Sequence, residues 1–157
     1  DSMVGELRQQ GYILTKKIIS VRKVEATKQI SKKLHVLLGQ EVYEYILLRK
    51  IDGVPCFLET TYLDCERYPD FEKYYTDKTS MGRILKNVYH RKQISGEEHI
   101  SVTYASEQEA ALLEIIPDSP LFFTSGVVKD EEGVIIMYYK QLIRGDKFKL
   151  VSRIESE

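Results

Sequence analysis

One arginine and one glutamate stand where their neighbours argue against charge. Residues 42–51 read as a strongly apolar strand, and its alternation puts Tyr43, Tyr45, Leu47, Arg49 and Ile51 on one face. Arg49 thus ends an apolar and aromatic stripe. A guanidinium in such a place needs a carboxylate or an anionic ligand. Residues 55–63 read as the returning strand and carry Glu59. A three-residue turn, Asp52-Gly53-Val54, sets Arg49 opposite Phe57 and Leu47 opposite Glu59, which makes Glu59 a same-face diagonal neighbour of Arg49. A two-residue turn puts Glu59 on the other face. Two chemistries fit: an ion pair that fixes the hairpin, or a site where Arg49 meets an anion and Glu59 meets hydroxyls or amines of a ligand.

Thr79 and Ser80 open a helix read over 80–89. Their hydroxyls can cap backbone N–H groups, and the same helix start offers N–H groups and a positive dipole end to an anion. Further on, Met137, Tyr139 and Gln141 share one face of a strand, with Tyr138 and Lys140 on the other. Eleven tyrosines and no tryptophan suit a pocket with polar tips, although tyrosine also fills sheet cores. His35 reads as a helix surface residue. His90 and His99 read as exposed, flanking Arg91-Lys92 and the turn at Ser95-Gly96. None of the three has the spacing of a metal site. There is no GxSxG, HExxH, GxGxxG or phosphate-binding loop, and no nucleophile–base pair assembles. The expectation is therefore a binding protein with no catalytic residue, no metal and no cofactor. Cys56 and Cys65 read as reduced thiols rather than a disulfide or metal pair.

The elements that must position these residues occur twice. A short helix over 4–10 stops at Gly11, and a strand follows over 15–24. Thr27 N-caps a helix with Ile30, Leu34 and Leu37/Leu38 at helical spacing and Gly39 as C-cap. The hairpin 42–63 then turns at Asp52-Gly53. After a polar, tyrosine-rich stretch (65–78) and the helix 80–89, residues 98–105 read as a strand. Ser106 and Glu109 form a capping box for a helix through Ala110, Leu113 and Ile116. A second hairpin follows, with strands over 121–129 and 134–143, and residues 148–154 read as a final strand. Sliding the sequence by 79 places Ala26 on Ala105, Leu34 on Leu113, Val42 on Leu121 and Lys50 on Lys129. This predicts an α+β fold: one antiparallel sheet from two helix–hairpin units, with helices packed against it.

The chain has 157 residues, 43% hydrophobic and 30% charged, with net charge −1. That suits one domain with a sizeable core. The absence of a basic excess argues against a nucleic-acid surface. No signal-peptide pattern opens the chain, and no apolar run reaches the ~18 residues of a membrane span.

Three stretches taken in order resemble a known family: "SMVGELRQQGY", "ISKKLHVLLGQEVYEYILLRKIDGVPCFLETTYL" and "ASEQEAALLEIIPDSPLFFTSGVVKDEEGVIIMYYKQLIRGDKFKL". They are similar to the effector-binding (UTRA) domain of HutC-type regulators in the GntR family. The resemblance covers nearly the whole chain. It implies a chorismate-lyase-like fold, and a cytoplasmic homodimer that touches DNA only through an N-terminal winged helix-turn-helix outside these residues. It also implies a small-molecule effector, often a sugar phosphate, elsewhere another sugar, an amino-acid derivative, an alkyl phosphonate or a fatty acid. Carried over by position, Arg49, Thr79 and Ser80 hold an anionic group, and Glu59 matches the family's glutamate on the return strand; with Tyr139, from the strand alternation above, Glu59 is expected to orient the ligand. Leu47 stands where many members carry a further arginine, which weakens the case for a doubly charged phosphate, and Met137 stands where many carry glutamate. Arg144-Gly145-Asp146 matches a run read as structural. The alternative is a lyase of chorismate-lyase type, which would need a second basic residue converging on Arg49.

Overall fold

Alternating apolar residues in six segments, each ended by a turn, build the sheet that organises this chain. The computed structural model describes residues 2–146, with side chains from Gly5 onward. Its elements are α1 (Ser2–Gln9), β1 (Leu14–Glu25), α2 (Lys28–Leu34), β2 (Glu41–Ile51), β3 (Val54–Asp64), α3 (Phe71–Tyr74), α4 (Met81–Asn87), β4 (Ser95–Tyr104), α5 (Glu107–Leu113), β5 (Pro120–Lys129) and β6 (Ile135–Arg144). All pairings are antiparallel, in the order β1-β2-β3-β6-β5-β4. The two hairpins meet at the centre, where β3 pairs with β6. The strand read over 148–154 lies outside the described residues.

The repeat is present in the backbone hydrogen bonds. Thr27 caps α2 by accepting from Ile30 N, and 79 positions on, Ser106 caps α5 by accepting from Glu109 N. Both helices end on a left-handed residue, His35 at φ 57° and Glu114 at φ 56°. Ala26 N donates to Gln40 O at 2.7 Å and Ala105 N to Ser119 O at 2.9 Å; Gly39 N donates to Ala26 O and Asp118 N to Ala105 O. Both helices are shorter than their apolar spacing predicts. α2 stops at Leu34 rather than at Gly39, leaving Leu37 and Leu38 exposed, and Ile116 is exposed beyond α5. Each left-handed cap turns the chain back toward the sheet before those residues can join the helix.

Helices α2 and α5 cover one face. Ile30 and Leu34 pack with Val42, Tyr62 and Tyr138, and Ala110 and Leu113 with Leu48, Leu58, Leu121 and Leu142. The opposite face is covered in two separate places. Near one end, Leu7 of α1 packs on Ile51, Cys56, Phe57 and Ile143. Toward the other, the segment carrying α3 and α4 lays Phe71, Tyr75 and Leu85 on Tyr43, Tyr45, Leu47 and Leu63. Cys56 and Cys65 are not joined to each other.

Candidate functional site

Between those two apolar zones the sheet carries a row of polar side chains, one strand after another. Its centre is the pair expected from the sequence, reached by a route that neither turn alternative contained. The turn is the two-residue Asp52-Gly53, with Ile51 opposite Val54. A register shift between Arg49 and Lys50 then restores the pairing that a three-residue turn would give: Arg49 opposite Phe57, Leu47 opposite Glu59. A β-bulge thus decides the face on which Glu59 lies.

Arg49 Nε donates to Glu59 Oε1 at 2.9 Å and Nη2 to Oε2 at 3.4 Å. Their side chains are 17% and 11% exposed, so the pair is largely withdrawn from water. Burial disfavours the Arg49 cation, but the charge and hydrogen bonds of Glu59 more than offset this and raise its pKa above the ordinary value. Gln141 Nε2 also donates to Glu59 Oε1, at 2.6 Å, and Gln141 Oε1 accepts from Thr124 Oγ1 at 3.4 Å. Glu59, Thr124 and Gln141 are all buried. The row therefore crosses β2, β3, β6 and β5.

It also reaches β1, through a residue the sequence did not single out. Lys16 is the direct cross-strand partner of Arg49. Its ammonium donates to the Thr79 carbonyl oxygen and lies 3.8 Å from the Tyr75 ring centroid. Burial, followed by repulsion from Arg49, lowers the Lys16 pKa to about 8. Asp77 and Tyr75 close the row from above: Asp77 Oδ1 accepts from Ile18 N at 2.7 Å, and the buried Tyr75 hydroxyl feels both Arg49 and Glu59. Nothing local marks Lys16, because its partner is 33 residues away and the register carries a bulge between Ile18 and Ser20.

The other expected residues are placed less directly. The Thr79 hydroxyl is engaged within its own loop, accepting from Thr76 N at 2.8 Å and donating to Tyr74 O at 3.0 Å. It is the Thr79 carbonyl that meets the row. Ser80 caps α4, accepting from Arg83 N at 3.5 Å. Tyr139 shares the face of Glu59 and Gln141, crosses the bare backbone of Gly126 and donates to Glu98 on β4. Burial and that hydrogen bond raise its pKa. The structure thus brings together Arg49, Glu59 and the loop at Thr79, sets Tyr139 one strand further on, and turns Ser80 to helix capping.

Two hollows lie elsewhere. One of about 410 Å³ is lined by Val102, Ile115, Phe122, Arg144 and Asp146, among others; another of about 230 Å³ lies beside α2 and includes Lys32, Lys33, His35 and His99. Neither includes Arg49, Glu59, Thr79, Ser80 or Tyr139. Arg144 of the larger hollow pairs with Asp146 at 2.9 Å; its own side chain is 11% exposed but its partner's is 63% exposed. The polar row is the stronger candidate, because there both charges of the pair are held out of water, whereas the carboxylate of the other pair is solvated. His35, His90 and His99 are exposed. No helix among the described residues is long and apolar enough to cross a membrane.

Known proteins resemble this chain over most of its length. The model of the UTRA domain matches residues 9–149. The probable fructoselysine utilization operon transcriptional repressor of Escherichia coli strain K12 is 23% identical over 141 residues, 90% of this chain and 58% of that protein. The transcriptional repressor PhnF of Mycolicibacterium smegmatis is 25% identical over 142 residues, 89% of this chain and 57% of that protein. This chain therefore spans less than three-fifths of either repressor. The crystal structure of the PhnF effector domain from Mycobacterium smegmatis superposes with a TM-score of 0.91 at 23% identity, covering 98% of this chain and 94% of that one. The α+β architecture is the one that these effector domains share.

Proposed function

This chain belongs to the UTRA domain family, and from that premise we propose that it is the effector-sensing part of a GntR-family transcription regulator. The reading takes residues 1–157 as a single domain, cytoplasmic and homodimeric, whose DNA contacts are made by a winged helix-turn-helix outside it. The observation that carries it is the charged row Lys16–Arg49–Glu59–Gln141, held largely out of water between two apolar zones. Such a row is a poor way to gain stability, since buried ion pairs often do no better than apolar residues of similar size. It is a good way to recognise a small polar guest, because each group has its orientation fixed before the guest arrives.

In this reading the effector carries an anionic group and several hydroxyls or amines. Its anion meets Arg49 and Lys16, and its hydroxyls or ammonium meet Glu59 and Gln141. Tyr139 orients it from β6. Thr79 and Ser80 hold the loop that lies over the row. The effector replaces the present Arg49–Glu59 and Lys16–Thr79 contacts rather than entering an empty space. Lys16 supplies the second cation that Leu47 does not, which returns a sugar phosphate to the candidates. The named operon of the Escherichia coli relative makes fructoselysine, with a carboxylate and an amine on one sugar, an equally apt probe.

The test is a thermal-shift titration of the 157-residue chain with fructoselysine and with glucose 6-phosphate. The expected result is a saturable rise in melting temperature with one of them, weakened about ten-fold or more by Arg49→Ala. Unchanged affinity in that variant would remove Arg49 from the site. The convergence of Lys16 on Arg49 also meets the requirement set for a lyase. A spectroscopic assay with chorismate separates the readings, and turnover would favour the enzyme.

A further inference from the structure

Little in its surroundings holds Lys16 as a cation. It forms no ion pair with a described carboxylate. Its direct cross-strand partner is a second cation, Arg49. Its amine lies against the Thr79 carbonyl oxygen and, at 3.8 Å, the face of the Tyr75 ring. Burial first, then Arg49 and Arg8, favour the neutral amine, while Asp77 and Glu59 favour the ammonium. The balance sets the Lys16 pKa at about 8, against an ordinary 10.5. At pH 8 about half of the Lys16 side chains are therefore neutral, against roughly one in three hundred for an ordinary lysine. A neutral amine is a nucleophile, and desolvation beside another cation is one way to make one.

The surroundings also select the electrophile. Neither hollow includes Lys16, and the Tyr75 ring and the Thr79 loop lie against its amine, so the reagent must be small. It must also be uncharged or anionic, because it approaches two cations. The product that Arg49 favours most is one that inverts the charge at Lys16, not one that merely removes it. We propose that Lys16 takes up carbon dioxide as a carbamate held by the Arg49 guanidinium.

The nitrogen lone pair attacks the carbon of carbon dioxide and an N–C bond forms. One C=O electron pair moves onto oxygen, and the nitrogen gives one proton to water. A neutral amine and a neutral gas thus yield a carbamate anion and a proton. The cation–cation contact between β1 and β2 becomes an ion pair. Arg49 has donors to spare, since a guanidinium carries five N–H groups and its pair with Glu59 engages only Nε and Nη2. One charge of the row is then reversed. As an ammonium Lys16 attracts the anionic group of an effector; as a carbamate it repels that group and competes with it for Arg49. Carbon dioxide therefore opposes the effector. This consequence rests on the sensor reading above; the carbamate itself does not.

The experiment equilibrates the 157-residue chain with carbon-13-labelled bicarbonate and its dissolved carbon dioxide at pH 8. Triethyloxonium fixes carbamates as esters, and peptide mass spectrometry locates the label. Expected is a label on Lys16 at least about ten-fold above that on the exposed Lys17 beside it. Asp77→Asn keeps an acceptor for Ile18 N but removes a carboxylate that favours the ammonium, so labelling at pH 7 should rise about two-fold. Arg49→Gln removes both the repulsion and the partner of the carbamate, so labelling should fall about ten-fold in a variant of native circular dichroism. Label spread evenly over the lysines, none on Lys16, or a Lys16 label that either folded variant leaves unchanged overturns the proposal. Should Arg49→Gln not fold, Asp77→Asn alone decides. A labelled Lys16 in a chain whose melting temperature neither fructoselysine nor glucose 6-phosphate moves keeps the carbamate and removes only its consequence for an effector.

Discussion

The two helix–hairpin units share a backbone but not an environment. In the first, β2 and β3 are covered on both faces, and the hairpin brings a cation and an anion together below the surface. In the second, β6 is buried but β4, the outer strand among the described residues, is exposed, and the row draws only neutral groups from the hairpin: Thr124, Gln141 and Tyr139. Allowing for one extra residue in the second turn, Tyr139 occupies the repeat position of Glu59. Both reach across the sheet for a charged partner, Glu59 for Arg49 and Tyr139 for Glu98. The same scaffold thus places charge inside on one half and an exposed strand on the other. Fold comes from what the halves have in common, and function from where they differ.

The comparison breaks most readily at Glu59. Glu59→Leu leaves Arg49 largely buried without its carboxylate and should lower unfolding free energy by about 3 kcal/mol, read from urea denaturation. The equivalent change in the second unit, Tyr139→Phe, leaves a carboxylate near water and should cost only about 1 kcal/mol. Equal losses would mean that the halves do not differ as described. Capping sharpens the contrast from the other side. Ser106 shares a reciprocal capping box with Glu109, whereas Thr27 accepts a single bond at 3.3 Å. Ser106→Ala should therefore cost about 1 kcal/mol and Thr27→Ala about half of that.

Lys16 gives the effect that depends on pH. Its folded-state pKa, about 8, lies below the ordinary 10.5, so between those values the unfolded chain binds more protons. Stability then rises with pH across that window. Relative to Lys16→Met, the wild-type melting temperature should climb between pH 8 and 10. A flat difference would mean that the ammonium is not desolvated.

Much of the fold is legible because its signals are local. Thr27 and Ser106 announce their helices, Asp52-Gly53 its turn, and alternation the strands. The helix ends are not legible in this way, since Leu37 and Ile116 keep helical spacing although the chain has already turned at His35 and Glu114. The Arg49–Glu59 pair was visible only as two alternatives, because a single bulge decides the face. Alternation puts Gln141 on the face of Tyr139, but Lys16 and Thr124 carry no local mark at all. Their place in the row comes from pairings between strands far apart in sequence, which periodicity does not encode.

The central claim is that the charged row on the sheet is where an effector is recognised. Backbone amide chemical shifts of the 157-residue chain, followed during titration with fructoselysine or glucose 6-phosphate, test it directly. The account predicts that the largest changes fall on Lys16, Arg49, Glu59, Gln141 and the 75–80 loop, and that they vanish in Arg49→Ala. Changes centred instead on Phe122, Arg144 and Gly145, and unaffected by that substitution, would contradict it.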